Sequence, residues 1–129
     1  MTYTRTITLD LPVSEAVDRV KSALKGQGFG TLTEIDLQAT MKEKLDADIE
    51  PYVILGACNP ELAHRALQAD RSIGALLPCN VVVRADGDHT IVDALDPAVM
   101  SQLADGLDDV ADDAAQRIDA ALASLSSET

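Results

Sequence analysis

Val81-Val82-Val83-Arg84-Ala85-Asp86-Gly87-Asp88-His89-Thr90-Ile91-Val92-Asp93-Ala94 is the stretch whose reading decides the fold. Two β-rich runs, Val81 to Arg84 and Thr90 to Ala94, bracket Asp86-Gly87, a dipeptide suited to a tight turn at positive φ. The runs are expected to pair antiparallel. Upstream, Tyr3 to Leu9 sets Tyr3, Arg5, Ile7 and Leu9 against Thr4, Thr6 and Thr8, the period of a strand with one face inward. Pro12 and Ser14 open a helical pattern in which Val13, Ala16, Val17, Val20, Ala23 and Leu24 share one face, stopped by Gly26 and Gly28. Phe29 to Ile35 reads as a second strand. Asp36 can cap a short helix carrying Leu37, Met41 and Leu45, before a polar break from Asp46 to Pro51.

Tyr52 to Ala57 is apolar almost throughout, so this strand should be covered on both faces or lie inside a sheet. Asn59 then suits an N-cap and Pro60 the first helical position, because Asn accepts free amides and Pro lacks a donor that would go unmet. The helix runs to about Ala69 with the stripe Leu62, Ala63, Ala66 and Leu67, leaving His64 and Arg65 on its flanks. Ile73 to Leu77 is a short apolar connection into the hairpin. Asp96-Pro97 starts a short helix through Leu103, and Gly106 separates it from a long final one. There Leu107, Val110, Ala111, Ala114, Ala115, Ile118, Ala121, Leu122 and Leu125 form a stripe with acids opposite. Ser126 to Thr129 is expected to fray. This order gives an α+β fold with helices gathered on one face of a mostly antiparallel sheet, closed by a long amphipathic C-terminal helix.

The 129 residues, 47% of them hydrophobic, suffice for one core, and neither a repeat nor a linker divides residues 1–129. No apolar run approaches the ~20 residues that cross a bilayer, and Met1-Thr2-Tyr3-Thr4-Arg5 lacks the pattern of a signal peptide, so a cytoplasmic protein is expected. A net charge of −12 argues against nucleic acid and anionic membranes as partners, since such binding requires Lys and Arg to displace counterions from phosphates. Phosphate-binding motifs are missing too: Gly26, Gly28 and Gly30 alternate but precede a strand, which makes them turn residues rather than a phosphate cradle. No Ser stands in a G-x-S-x-G setting to suggest a hydrolase. Pairs such as Asp108-Asp109 lie on a polar helix face, unlike the sheltered carboxyls of acid–base catalysis.

Two cysteines remain, each followed by asparagine: Ala57-Cys58-Asn59-Pro60 and Pro78-Cys79-Asn80-Val81. In a reducing compartment they would be thiols rather than a disulfide scaffold. Each follows an apolar run and leads into a new element, so folding could bring two thiols and two amides together. As small hydrophobes they could equally be core residues.

Four ordered blocks carry a family resemblance: Gly28-Phe29-Gly30-Thr31-Leu32-Thr33-Glu34-Ile35-Asp36, Ile54-Leu55-Gly56-Ala57-Cys58-Asn59-Pro60, Ala63-His64-Arg65-Ala66-Leu67, and Gly74-Ala75-Leu76-Leu77-Pro78-Cys79-Asn80-Val81. Together they resemble the bacterial and archaeal family called domain of unknown function 302. The resemblance spans nearly the whole chain and implies a small α+β domain of the TATA-binding-protein-like class, forming a homodimer. It implies no reaction and no catalytic residue.

Function must therefore come from the residues. One expectation is a small-ligand or thiol-dependent site made by Cys58, Asn59, His64, Arg65, Cys79 and Asn80, with Cys58 at a helix N-terminus where a thiol pKa can fall. A metal site from Cys58, Cys79 and His64 would have only three ligands and no close C-x-x-C spacing, so neither metal nor cofactor is assigned. His89, in the hairpin turn beside Asp88, is expected to be solvated. The alternative expectation is a non-catalytic homodimeric interaction module with both cysteines in its core.

Overall fold

The computed structural model describes residues 2–128. Elements follow the order β1 (Thr4–Leu9), α1 (Val13–Gly26), β2 (Gly30–Asp36), α2 (Leu37–Leu45), β3 (Tyr52–Cys58), α3 (Pro60–Ala69), a 3₁₀ segment (Arg71–Leu76), β4 (Cys79–Asp86), β5 (His89–Leu95), α4 (Ala98–Leu103) and α5 (Asp108–Glu128). The five strands form one sheet of order β1-β5-β4-β3-β2, and every neighbouring pair is antiparallel. The β4–β5 hairpin turns on Gly87-Asp88, one residue later than the expected Asp86-Gly87, since Asp86 still pairs with His89; Gly87 takes the positive φ, +59°. Helix α5 runs through Glu128; Thr129, the end of the stretch expected to fray, and Met1 of the N-terminal reading lie outside the described residues.

Alternation along the strands divides the sheet into two unlike faces. One face carries Ile7 and Leu9, Val92 and Ala94, Cys79, Val81 and Val83, and Leu55 and Ala57, whose cross-strand register places Val81 between Leu55 and Ala94. All of these but Ile7 are buried, and Ile7 packs against their cluster. On this face α1 crosses β2, β3 and β4 while α5 packs beside it and reaches β1. Helix α5 supplies the cluster with Val110, Ala114, Ile118, Ala121, Leu122 and Leu125 at helical spacing.

Helix α1 ends in a turn that requires its glycine. Phe29 N–H donates to Leu24 O at 2.9 Å and Gly28 N–H to Lys25 O at 3.0 Å, with Gly28 at φ +87°. The turn also drops Phe29 into the core at 3% exposure, so β2 begins at Gly30 rather than at Phe29 as its composition suggests.

The β2–α2 region is little buried. Strand β2 is an edge with Leu32 66% and Ile35 44% exposed, and α2 has no buried residue, leaving Leu45 70% exposed. The α2 N-cap is as expected: Asp36 Oδ1 accepts from Ala39 N at 2.9 Å. β3 is internal, between β2 and β4, which accounts for its nearly continuous apolar run.

Candidate functional site

The junction of β3 with α3 is fixed by Asn59, 5% exposed. Its Oδ1 accepts from Leu62 N at 3.3 Å, meeting one of the free amides of α3, and its Nδ2 donates to Gln27 O at 3.4 Å. Pro60 follows at the first helical position. One side chain thereby ties the start of α3 to the turn after α1, where a Cβ on Gly28 would sit 2.8 Å from Asn59 Nδ2.

Beside this junction is a cavity of about 20 Å³ lined by Ala57, Cys58, Asn59 and Cys79 from the sheet end and by apolar residues of the surrounding elements, among them Phe29 and Met100. Since one water needs ~10–15 Å³ of such volume and two or more polar partners, the space is of single-water size with walls suited to staying dry. Cys58 ends β3, half-buried, while Cys79 begins β4 and is buried, opposite Ala57. Burial, reinforced by the neighbouring Cys58, pushes the Cys79 thiol pKa upward. Cys79 therefore remains a protonated thiol at neutral pH, the opposite of the activated thiolate that nucleophilic chemistry uses.

Of the six residues singled out in the sequence, Cys58, Asn59 and Cys79 meet at this cavity and three lie elsewhere. His64 is exposed on α3. Arg65 turns to α5, where its guanidinium contacts Asp113 Oδ2 at 3.0 Å, and Arg117 holds Asp113 Oδ1 at 2.9 Å. Hydrogen bonds from Arg117 and then Arg65 lower the Asp113 pKa, so α3 and α5 are joined by a charged clip. Asn80 is exposed on β4, paired with Gly56 on the side of the sheet away from the core. Among the described residues no group of three or more His, Cys, Asp or Glu could hold a metal ion. His89 is exposed and its Nδ1 lies 3.0 Å from Asp10 Oδ1.

The remaining cavity walls were not singled out in the sequence. Phe29 carried one usable signal, since it is the chain's lone phenylalanine and follows a glycine pair, whereas Val110 and Ala114 read only as stripe residues of the final helix and Met100 only as part of a short one.

The sequence matches the model of the family described as Domain of unknown function DUF302 over residues 5–125. The chain belongs to the DUF302 family. Its fold is similar to that of an uncharacterized conserved DUF302 protein from Bacillus stearothermophilus, seen by crystallography, with 29% identity and a TM-score of 0.88 over 97% of this chain and 99% of that one. Among proteins of curated function, none matches the sequence. No helix of this DUF302 domain, among the described residues, is long and apolar enough to cross a membrane.

Proposed function

We propose that this DUF302 domain is a non-catalytic homodimeric binding module, with the sheet face away from α1 and α5 as the interface and the cysteines as interior packing residues. The observation that carries the reading is the composition of that face. Ile54 on β3, Val82 on β4, and Ile91 and Leu95 on β5 all project there by strand alternation, yet none belongs to the core cluster or packs against it. Exposed Ile35 of the edge strand β2 stands opposite Ile54 and extends the same surface.

Charge favours this face over the others. Two chains of net charge −12 repel, so self-association needs a surface from which the acids are absent or neutralised. The pair nearest the centre of the face is internally matched: Arg84 Nε donates to Asp93 Oδ2 at 2.9 Å, and Thr6 Oγ1 donates to Asp93 Oδ1 at 2.7 Å. Joining two such faces would keep the acid-rich α5 helices on the outside, across the thickness of both sheets.

The test is the mass in solution by sedimentation equilibrium or light scattering. A two-fold interface meets each substitution twice, so Val82→Glu should convert a dimer to a monomer, while Ala120→Glu, exposed on α5, should leave the dimer intact. A wild-type chain that is monomeric at micromolar concentration overturns the reading.

A second reading, a small ligand at the thiols, rests on the convergence of Cys58, Asn59 and Cys79 on one cavity. Alkylation rates across pH 5 to 9 separate the two. Slow labelling of Cys79 that unfolding releases agrees with packing; fast labelling at neutral pH in the native protein, blocked by an added ligand, favours a site.

A further inference from the structure

A second concavity, far larger than the cysteine cavity, lies where the N-terminus of α1 passes over the sheet. It has a volume of about 760 Å³ and is walled by the start of α1, the ends of β3 and β4, the hairpin turn and the β2–α2 junction. That is within the ~300–1,000 Å³ range of small-molecule sites. Its apolar part comes from Leu11, Val13, Val17, Val53 and Ala85; Tyr52 borders it, with its ring by strand alternation on the opposite face of the sheet beside Arg84.

The carboxylates dominate the charged lining. Asp18, Glu34, Asp36 and Asp88 line the groove, no Lys or Arg does, and the one lining histidine, His89, sits with its Nδ1 3.0 Å from Asp10 Oδ1. Two of these carboxylates are engaged: Glu34 pairs with Lys21, and Asp36 caps α2. Asp18 on α1 and Asp88 in the hairpin turn have no side-chain ion pair or hydrogen bond among the described residues. One opposing influence is the N-terminus of α1, which enters without a side-chain cap and contributes about +0.5 charge. Glu15 in its first turn counters that, and two unpaired carboxylates outweigh it. The groove therefore holds net negative potential over an apolar floor.

We propose that this groove binds a small aliphatic amine, specifically a diamine or polyamine whose methylene chain lies on Val17, Val53 and Ala85 and whose ammonium groups meet Asp18 and Asp88. An inorganic cation would gain nothing from the apolar floor, and an organic anion would meet the carboxylates. A cation with an apolar body satisfies both parts. The proposal is independent of the dimer reading, because the groove belongs to the α1 side of the sheet end.

The test is titration of the isotopically labelled full chain with 1,6-diaminohexane, followed by backbone amide NMR at constant ionic strength, with hexanoate and magnesium chloride in parallel. The diamine should saturate at one site and shift the amides of Ser14, Val53, Ala85 and Thr90. Asp18→Asn/Asp88→Asn should weaken binding about tenfold or more. Asp105→Asn/Asp112→Asn, which removes the same charge from exposed positions outside the groove, should leave the affinity within about twofold. Ala85→Lys, placing an ammonium in the groove, should abolish binding in a chain whose circular dichroism is unchanged. Non-saturating shifts scattered over the surface, equal weakening in the two Asn pairs, or equal binding of hexanoate or magnesium at the same amides overturns the proposal.

Discussion

Replacing Asn59 by alanine separates a structural role for this residue from a role in holding a ligand. The side chain makes two hydrogen bonds, Oδ1 from Leu62 N at 3.3 Å and Nδ2 to Gln27 O at 3.4 Å, and is 5% exposed. Loss of an N-cap costs ~1 kcal/mol. Loss of the second bond leaves a part-buried carbonyl short of a donor, another ~1 kcal/mol at this length and geometry. The sum is ~2 kcal/mol. With an unfolding entropy of ~2.1 cal/mol/K per residue over 129 residues, it lowers Tm by about 7 °C. Asn59→Ser keeps a capping oxygen but is too short to reach Gln27, so it should recover about half of the loss. Urea unfolding of the three proteins, analysed at constant m, measures the differences. A loss under about 0.5 kcal/mol for alanine, or identical values for serine and alanine, would refute the division into cap and clamp. If stability were unchanged while Cys58 and Cys79 labelling altered, the amide would belong to a ligand site instead.

Gly56→Ala should be strongly destabilising, since a Cβ there would collide with Thr33 Oγ1 and sit 2.9 Å from Pro78 Cγ; calorimetry should register a loss of about 2–3 kcal/mol, partly restored by Thr33→Ala. Gly28→Ala combines a φ of +87° with a Cβ 2.8 Å from Asn59 Nδ2, so its loss in urea should exceed the ~1–2 kcal/mol of left-handed strain alone. The pKa of Cys79 is raised on folding, so the native state holds its proton after the unfolded chain has released it. Its contribution to stability is complete below about pH 8 and declines as pH rises past the ordinary thiol range, a decline that Cys79→Ala should lack in pH-dependent urea curves. Asp113 has the opposite sign: its lowered pKa stabilises the fold above the usual carboxylate range, and the benefit disappears as pH falls through the lowered value. Asp113→Asn should therefore flatten the acid limb of the stability curve.

Local signals carried most of the fold. Asp86-Gly87 marked the hairpin to within one residue, Asn59-Pro60 the start of α3, and the spacing from Leu107 to Leu125 the face of α5, because each feature is determined within a few residues of itself. The exposure of β2 and α2 was not legible, although both elements form where expected. Leu32, Ile35, Leu37 and Leu45 have the composition of buried elements, but burial depends on what comes to rest above them, and no distant segment covers Leu32 or Leu45. The candidate site was legible in the same proportion. Cys58 and Cys79 meet because β3 pairs with β4, placing Ala57 opposite Cys79. His64 and Arg65 stand five and six residues after Asn59, and the rotation of α3 turns Leu62, Ala63 and Ala66 to the cavity instead of them. The groove of Asp18, Tyr52, Ala85 and Asp88 was invisible, since its walls come from positions tens of residues apart and no motif marks them.

The size of the cysteine cavity also constrains the ligand reading on its own terms. A space of about 20 Å³ admits nothing larger than a water-sized group unless a wall moves. One wall is α3, which contributes Leu62, Ala63 and Ala66 to the lining and is held at its start by Asn59 and at its flank by the Arg65–Asp113 pair. Moving α3 outward breaks both anchors and exposes Leu62 and Ala66, a cost of several kcal/mol from the hydrogen bonds and the apolar surface together. Each 1.4 kcal/mol of that opening weakens the observed affinity about tenfold, because only the open fraction of molecules can bind. A ligand at the thiols must therefore bind the open form very tightly, and Asn59→Ala, which loosens α3, should strengthen its apparent affinity while weakening the fold. A packing role for the cysteines predicts no such opposition: the same substitution would speed Cys79 labelling only to the extent that it promotes opening, in parallel with the measured loss of stability.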